Sequence, residues 1–279
     1  MRRRAAVLML LGLALAASTE GADAAPKGTW WSIKVGIVTR KAFVYVGKSA
    51  TTKPSPLVLA FHGMGGTGDG MAAQTKLHLA WPEATVAYCQ AANTPNNPFP
   101  TTIPSWQPAP GAYGDYDLKF VDALVKTLRL SLRVDSLRIY ATGHSNGAIF
   151  CYLLFATRPY TFAAFAPVAG MLSANGSAVN QAQTPRPFLV THGTRDSVIP
   201  YRYGVAAAEA IRRVNQCDAI TKPWTTTGYV VYPSQKTGVP VVWYAHKGGH
   251  EWPSTSSQNV AKFFQEHTLN DGLPLNVLP

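Results

Sequence analysis

Charge is scarce in this chain. Charged residues make up 14% of its 279 residues, against about 25% in an average soluble protein. Acidic residues are the scarcer sign, 14 against 25 basic ones. No block of like charge, Gln/Asn tract or collagen period occurs, which removes fibrous and low-complexity readings. No heptad run survives the spacing of 23 glycines and 21 prolines, so a coiled coil is excluded. No repeat of about 20–50 residues is visible. Cysteine is limited to Cys89, Cys151 and Cys217. Two could pair in an oxidising compartment, or all three could be small buried residues. None sits in a turn motif, which argues against a catalytic thiol. Against these absences, 47% of the residues are hydrophobic, enough for a sizeable core and too many for wholesale disorder.

Long apolar runs are also lacking. The longest opening run, Ala5 to Ala17, follows the basic Met1-Arg2-Arg3-Arg4 and precedes Ala22-Asp23-Ala24. A basic start, a short apolar stretch and small residues before Ala25 predict a secretory signal peptide over residues 1–24. As a helix the apolar run rises only about 20 Å, short of a hydrocarbon core of about 30 Å. Cleavage would leave 22 basic and 12 acidic residues, a formal charge of +10. The expected product is secreted, extracellular or periplasmic, with no membrane span in the mature chain. Its basic surface suits anionic polysaccharide or a cell surface. Nucleic acid is not an expected partner, because the cations are scattered and no binding motif appears.

Downstream, buried apolar strands alternate with amphipathic segments. The stretch 33–46 reads as a hairpin or two edge strands. Pro56 to Phe61 is a continuous apolar run that enters His62-Gly63-Met64-Gly65-Gly66, a buried strand meeting a glycine loop. Residues 84–89 are another strand, and 93–114 a long surface loop with many prolines. Leu118, Val121, Leu124, Val125 and Leu128 mark one face of a helix over 117–132. Strands are expected at 137–142, 162–169, 188–191 and 239–245, and helices at 148–157, 205–214 and 260–267. This alternation predicts an α/β fold, a mostly parallel central sheet with helices on both faces. No linker divides residues 25–279, which read as one α/β domain.

Gly143-His144-Ser145-Asn146-Gly147 fits G-x-S-x-G between a strand and a helix. In such an elbow the serine takes a strained conformation, and the glycines let strand and helix approach closely. A helix-capping serine in an ordinary turn is the simpler alternative. Two features favour the catalytic reading. The His62–Gly66 loop can supply an oxyanion donor, the Met64 amide, to act with the Asn146 amide. Asp196 and His250 each directly follow a strand, and the order Ser, Asp, His is that of α/β-hydrolases.

Together, the Phe-His-Gly-x-Gly-Gly strand end, Tyr-Ala-Thr-Gly-His-Ser-Asn-Gly, His-Gly-Thr-x-Asp with Val-Ile-Pro-Tyr, and Gly-Gly-His-x-Trp-Pro are informative. They resemble the secreted esterases grouped with feruloyl esterases and polyhydroxybutyrate depolymerases, over roughly residues 33–267. The resemblance implies an α/β-hydrolase fold with Ser145 as nucleophile, Asp196 as orienting acid and His250 as general base. It leaves open hydroxycinnamoyl, acetyl and polyester bonds. His144 departs from the residues this group often shows before the serine.

The chemistry expected is ester hydrolysis through an acyl-enzyme, with no metal or organic cofactor. The expected partner is an ester substrate, polysaccharide or polyester. A secreted serine peptidase shares the triad order. A metal hydrolase using His62, His144, His192 and His250 lacks a recognised ligand spacing. A non-catalytic binding protein would keep the fold without the reaction. Trp106 and Trp252 are candidate substrate contacts, with loop anchoring as their alternative. His62 and His192 are expected to brace their loops, and His78 and His246 to lie at the surface.

Overall fold

A computed structural model describes residues 27–93, 103–173, 179, 182 and 184–271. The expected leader, residues 1–24, and residues 94–102 of the expected loop lie outside the described residues.

The architecture is one ten-stranded sheet flanked by helices. Strands β1 (Thr29–Val35) and β2 (Val38–Tyr45) form an antiparallel hairpin, as the sequence predicts. Next come β3 (Ser55–Phe61), α1 (Gly68–Thr75), α2 (Leu77–Ala80) and β4 (Thr85–Cys89). They are followed by α3 (Tyr116–Ser131), β5 (Val134–His144), α4 (Asn146–Thr157) and β6 (Ala164–Val168). Then come β7 (Phe188–Gly193), α5 (Tyr201–Val214), β8 (Lys222–Pro223) and β9 (Tyr229–Tyr232). The last two elements are β10 (Val241–His246) and α6 (Ser256–Gln265).

The sheet order is β1-β2-β4-β3-β5-β6-β7-β10-β9-β8. The six strands from β4 to β10 pair in parallel, and both ends are antiparallel. Strands β3, β4, β6 and β7 are buried along their whole length, which explains their unbroken apolar runs. One face packs against α3, α4 and α5 through Leu118, Val121, Leu124, Phe150, Leu154 and Ile211. The other packs against α1, α2 and α6 through Met71, Leu77, Val260, Phe263 and Phe264. The predicted stripe of α3 is buried in full.

The chain leaves β3 for β4 on one side and later crosses to β5 on the other. This reversal opens a crevice at the carboxyl ends of β3 and β5, the place where such sheets bind ligands.

The surface-loop expectation for 93–114 is corrected at residues 105–107, while residues 108–114 lie at or near the surface. Ser105, Trp106 and Gln107 are buried, because Trp106 packs against Phe61 and Phe150 while Gln107 bonds the start of α3. His78 and His246 are likewise interior, not surface. The first stacks on Tyr45 and bonds the Tyr88 hydroxyl, and the second lies beside Tyr244. Cys89, Cys151 and Cys217 are all free thiols, the first two buried.

Candidate active site

Four loops at one sheet edge bring the predicted residues together. Ser145 ends β5 and heads α4, with φ 56° and ψ −117°. A non-glycine residue there is strained, and the strain marks this turn as an imposed geometry. The glycines on either side permit it. A Cβ on Gly143 would come to 2.5 Å from the Gly147 carbonyl group, and one on Gly147 would run into the Phe61 carbonyl oxygen. The Ser145 amide donates to the Val168 carbonyl at 3.0 Å. Its hydroxyl makes no capping bond to the helix. The capping alternative for this serine is therefore corrected, because the helix turns without it. The Asn146 amide opens the first turn of α4 and has no acceptor within the helix.

The loop after β3 passes directly beside the serine. A Cβ on Gly63 would stand 3.4 Å from Ser145 Cβ. His62 fixes this loop from behind. Its Nε2 accepts the Ala91 amide at 3.1 Å, so Nδ1 carries the proton and donates to the Gly63 carbonyl at 2.7 Å. Burial lowers the His62 pKa and keeps the ring neutral. The expected bracing role thus has a geometric basis.

Asp196 and His250 meet across the ends of β7 and β10. His250 Nδ1 donates to Asp196 Oδ2 at 2.7 Å. Asp196 Oδ1 accepts the Val198 and Ile199 amides at 2.9 and 2.8 Å. Burial alone would raise this carboxyl, but the His250 hydrogen bond and the two amides outweigh it and hold the pKa below its usual value. The ionised carboxylate therefore fixes the proton on His250 Nδ1 and leaves Nε2 as the basic nitrogen.

His192 supports the same carboxylate. Its Nε2 donates to the Ile199 carbonyl at 2.8 Å and lies 3.3 Å from Asp196 Oδ2. Backbone bonds from Thr194 to His246 and from Arg195 to Gly248 join the acid loop to the histidine loop. Arg195 Nε adds a bond to the Lys247 carbonyl.

His144 precedes Ser145 and neighbours His250. Its ring centroid is 4.9 Å from that of His250, and its buried Nε2 has no hydrogen-bond partner. Burial and the neighbouring His250 lower its pKa to about 4. The Ser145 hydroxyl itself makes no hydrogen bond to His250, although their loops adjoin through His144. Such bonds are often long without substrate and tighten in the reacting complex.

The expected stacking role of Trp106 is corrected by its surroundings, and Trp252 takes the loop-anchoring alternative in part. Trp106 is 1% exposed, with its ring stacked at 5.2 Å on Phe150 and edge-on to Phe61. Trp252 is 8% exposed and donates its indole N–H to Ser257 Oγ. Both anchor loops, Trp106 with no open ring face and Trp252 at the edge of a cleft it lines with Thr75, Lys76 and Leu79. Reading the sequence missed the Asn146 side chain, whose Oδ1 accepts the Trp106 amide at 2.7 Å. It also missed the buried pair Arg40–Asp117 behind the site, 2.8 Å apart. The only signal for that pair was an aspartate inside an apolar helix stripe. Among the described residues no group of three His, Cys, Asp or Glu side chains could hold a metal ion.

This sheet order, with the Gly143–Gly147 turn at its reversal, defines an α/β-hydrolase fold. Residues 44–225 match the phospholipase/carboxylesterase family, and the chain belongs to it. The protein is a serine-type carboxylic ester hydrolase. It is 28% identical over 242 residues to NocK of Nocardia uniformis subsp. tsuyamanensis, an esterase by name, covering 74% of this chain and 68% of that one. It is 30% identical over 138 residues to feruloyl esterase C of Emericella nidulans, covering 48% of this chain and 50% of the relative. The chain thus spans about half the length of that feruloyl esterase. In structure it resembles an acetyl xylan esterase from Aspergillus awamori, with a TM-score of 0.64 and 18% identity. That match covers 85% of this chain and 99% of the other. Among the described residues no helix is long and apolar enough to cross a membrane.

Proposed function

We propose that the protein hydrolyses feruloyl or acetyl esters of plant polysaccharide through Ser145, His250 and Asp196. The observation that carries this reading is the 2.7 Å bond from His250 Nδ1 to the buried Asp196 carboxylate, beside a strained serine whose hydroxyl caps no helix. His250 Nε2 takes the Ser145 proton as Oγ attacks the ester carbonyl. The oxyanion of the tetrahedral intermediate accepts from the Met64 and Asn146 amides. Collapse releases the alcohol, which takes the proton from His250. Water, activated by the same imidazole, then cleaves the acyl-enzyme and restores the serine. Asp196 stays ionised throughout and stabilises the imidazolium.

The resemblance to feruloyl esterases supports the acyl group, and the basic balance of the chain suits an acidic polysaccharide matrix. Met64 is 42% and Val198 65% exposed, on the oxyanion and acid loops, and these apolar side chains favour polyester as a second substrate class. Residues 1–24 serve as an export signal in this reading, supported by their basic start, apolar run and small residues.

Hydrolysis rates on methyl ferulate, acetylated xylan and short polyhydroxybutyrate films test the substrate. Ferulate or acetate release at least tenfold faster than polyester cleavage is expected. Faster polyester cleavage would overturn the polysaccharide assignment in favour of the second class.

A further inference from the structure

One segment, residues 104–107, is bonded to both loops of the proposed oxyanion pocket. On the side of the loop after β3, the Pro104 carbonyl accepts the Gly65 amide at 2.8 Å. The Trp106 indole N–H donates to the His62 carbonyl at 2.9 Å. These two bonds bracket Met64 in the chain. On the side of the nucleophile turn, the Trp106 amide donates to Asn146 Oδ1 at 2.7 Å. A single residue is therefore bonded to both loops that would supply the donors.

Trp106 is itself held rigidly. Its ring is packed between Phe61 and Phe150 and is 1% exposed. The next residue, Gln107, donates its amide to Asp117 Oδ2 at 2.8 Å. Asp117 Oδ1 accepts from Arg40, which also bonds the Gln90 carbonyl. The adjoining Ala91 amide returns to His62 Nε2. The contacts form a closed circuit from His62 through Trp106, Gln107, Asp117, Arg40 and the β4 end back to His62.

We propose that Trp106 is a positioning residue that sets the spacing of the Met64 and Asn146 amides. This rests on the oxyanion reading of those two amides. The physical reason is that such donors act through preorganisation, at about 2.7–3.1 Å from the place the oxyanion will occupy. No substitution short of proline removes either amide, but their separation depends on the two Trp106 bonds. Trp106 touches no substrate. Loosening it lowers transition-state stabilisation and leaves ground-state binding alone.

Trp106→Phe deletes the indole donor and keeps an aromatic body. Asn146→Ala deletes the acceptor on the other side and leaves the core intact. On a soluble aryl acetate each variant is expected to lower kcat about tenfold, with KM within about twofold of wild type. Affinity for a boronic acid, which forms a tetrahedral adduct, should fall by the same factor as kcat/KM. The double variant should be little worse than the poorer single one, because both substitutions release the same clamp. Trp81→Phe, at a buried indole on the opposite face of the sheet, controls for stability. It should lower the melting temperature comparably and leave kcat unchanged. Wild-type kcat and boronate affinity in Trp106→Phe would overturn the proposal, as would an equal kcat loss in Trp81→Phe. Should Trp106→Phe not fold, Asn146→Ala decides by the same two readouts. Full activity in Ser145→Ala would instead overturn the triad reading beneath it.

Discussion

His144 makes acid destabilisation measurable one proton at a time. Burial, reinforced by His250, brings its pKa from 6.5 to about 4 in the folded protein. The fold thus holds this ring neutral, while the unfolded chain protonates it near its ordinary value. As pH falls from about 6.5 to about 4 the unfolded state binds the proton first, and stability drops. Above that window both states are neutral, and the full stability is present. At about 1.4 kcal/mol per pH unit, the interval corresponds to a loss of about 3 kcal/mol on reaching pH 4. His62, His192 and His246 are also lowered by burial, so the wild-type slope contains their protons too. His144→Phe removes one of these protons and keeps an aromatic ring beside His250. Urea unfolding at about pH 7, 6, 5 and 4 measures both proteins. The stability of the variant relative to wild type should rise by about 3 kcal/mol between pH 7 and pH 4. A difference that stays constant over this range would refute the claim that the fold keeps His144 neutral.

Other substitutions address the site and its support. Asp196→Asn should lower kcat about 10⁴-fold with a small change in KM, measured on an aryl ester, because the amide no longer enforces the His250 tautomer. Gly147→Ala places a Cβ against the Phe61 and His62 carbonyls, so soluble yield and activity should both collapse. Asp117→Ala strands Arg40 in the interior and should cost about 3–5 kcal/mol in urea unfolding. A disulfide-exchange reagent at neutral pH should titrate Cys217 slowly, since burial raises its pKa to about 11. Cys89 and Cys151, both fully buried and raised further, should react only on unfolding.

Periodicity made the parallel core legible. Runs such as Leu57 to Phe61 and Ala164 to Val168 are apolar without alternation because helices cover both faces of their strands. The elbow was legible because its glycines answer to backbone crowding, which a five-residue motif records. The short helices α1 and α2 were missed, since Gly68 to Ala80 contains two glycines and weak apolar spacing. Strands β8 and β9 were also missed, as their pairing depends on the neighbouring β10 more than on their own composition. Prolines suggested a surface loop around Trp106, yet the Arg40–Asp117 pair and the Phe61–Phe150 slot draw it inside. That burial joins residues distant in the chain, so local pattern does not record it. The Asp196–His250 pairing was expected from chain order and strand ends, while the amides of Val198 and Ile199 on the carboxylate came from the turn itself.

Mass spectrometry of the protein after treatment with a fluorophosphonate tests the account most directly. One adduct per chain on Ser145, with ester hydrolysis abolished in proportion to its formation, is the predicted result. Labelling at another residue, or full activity with Ser145 completely modified, would contradict it.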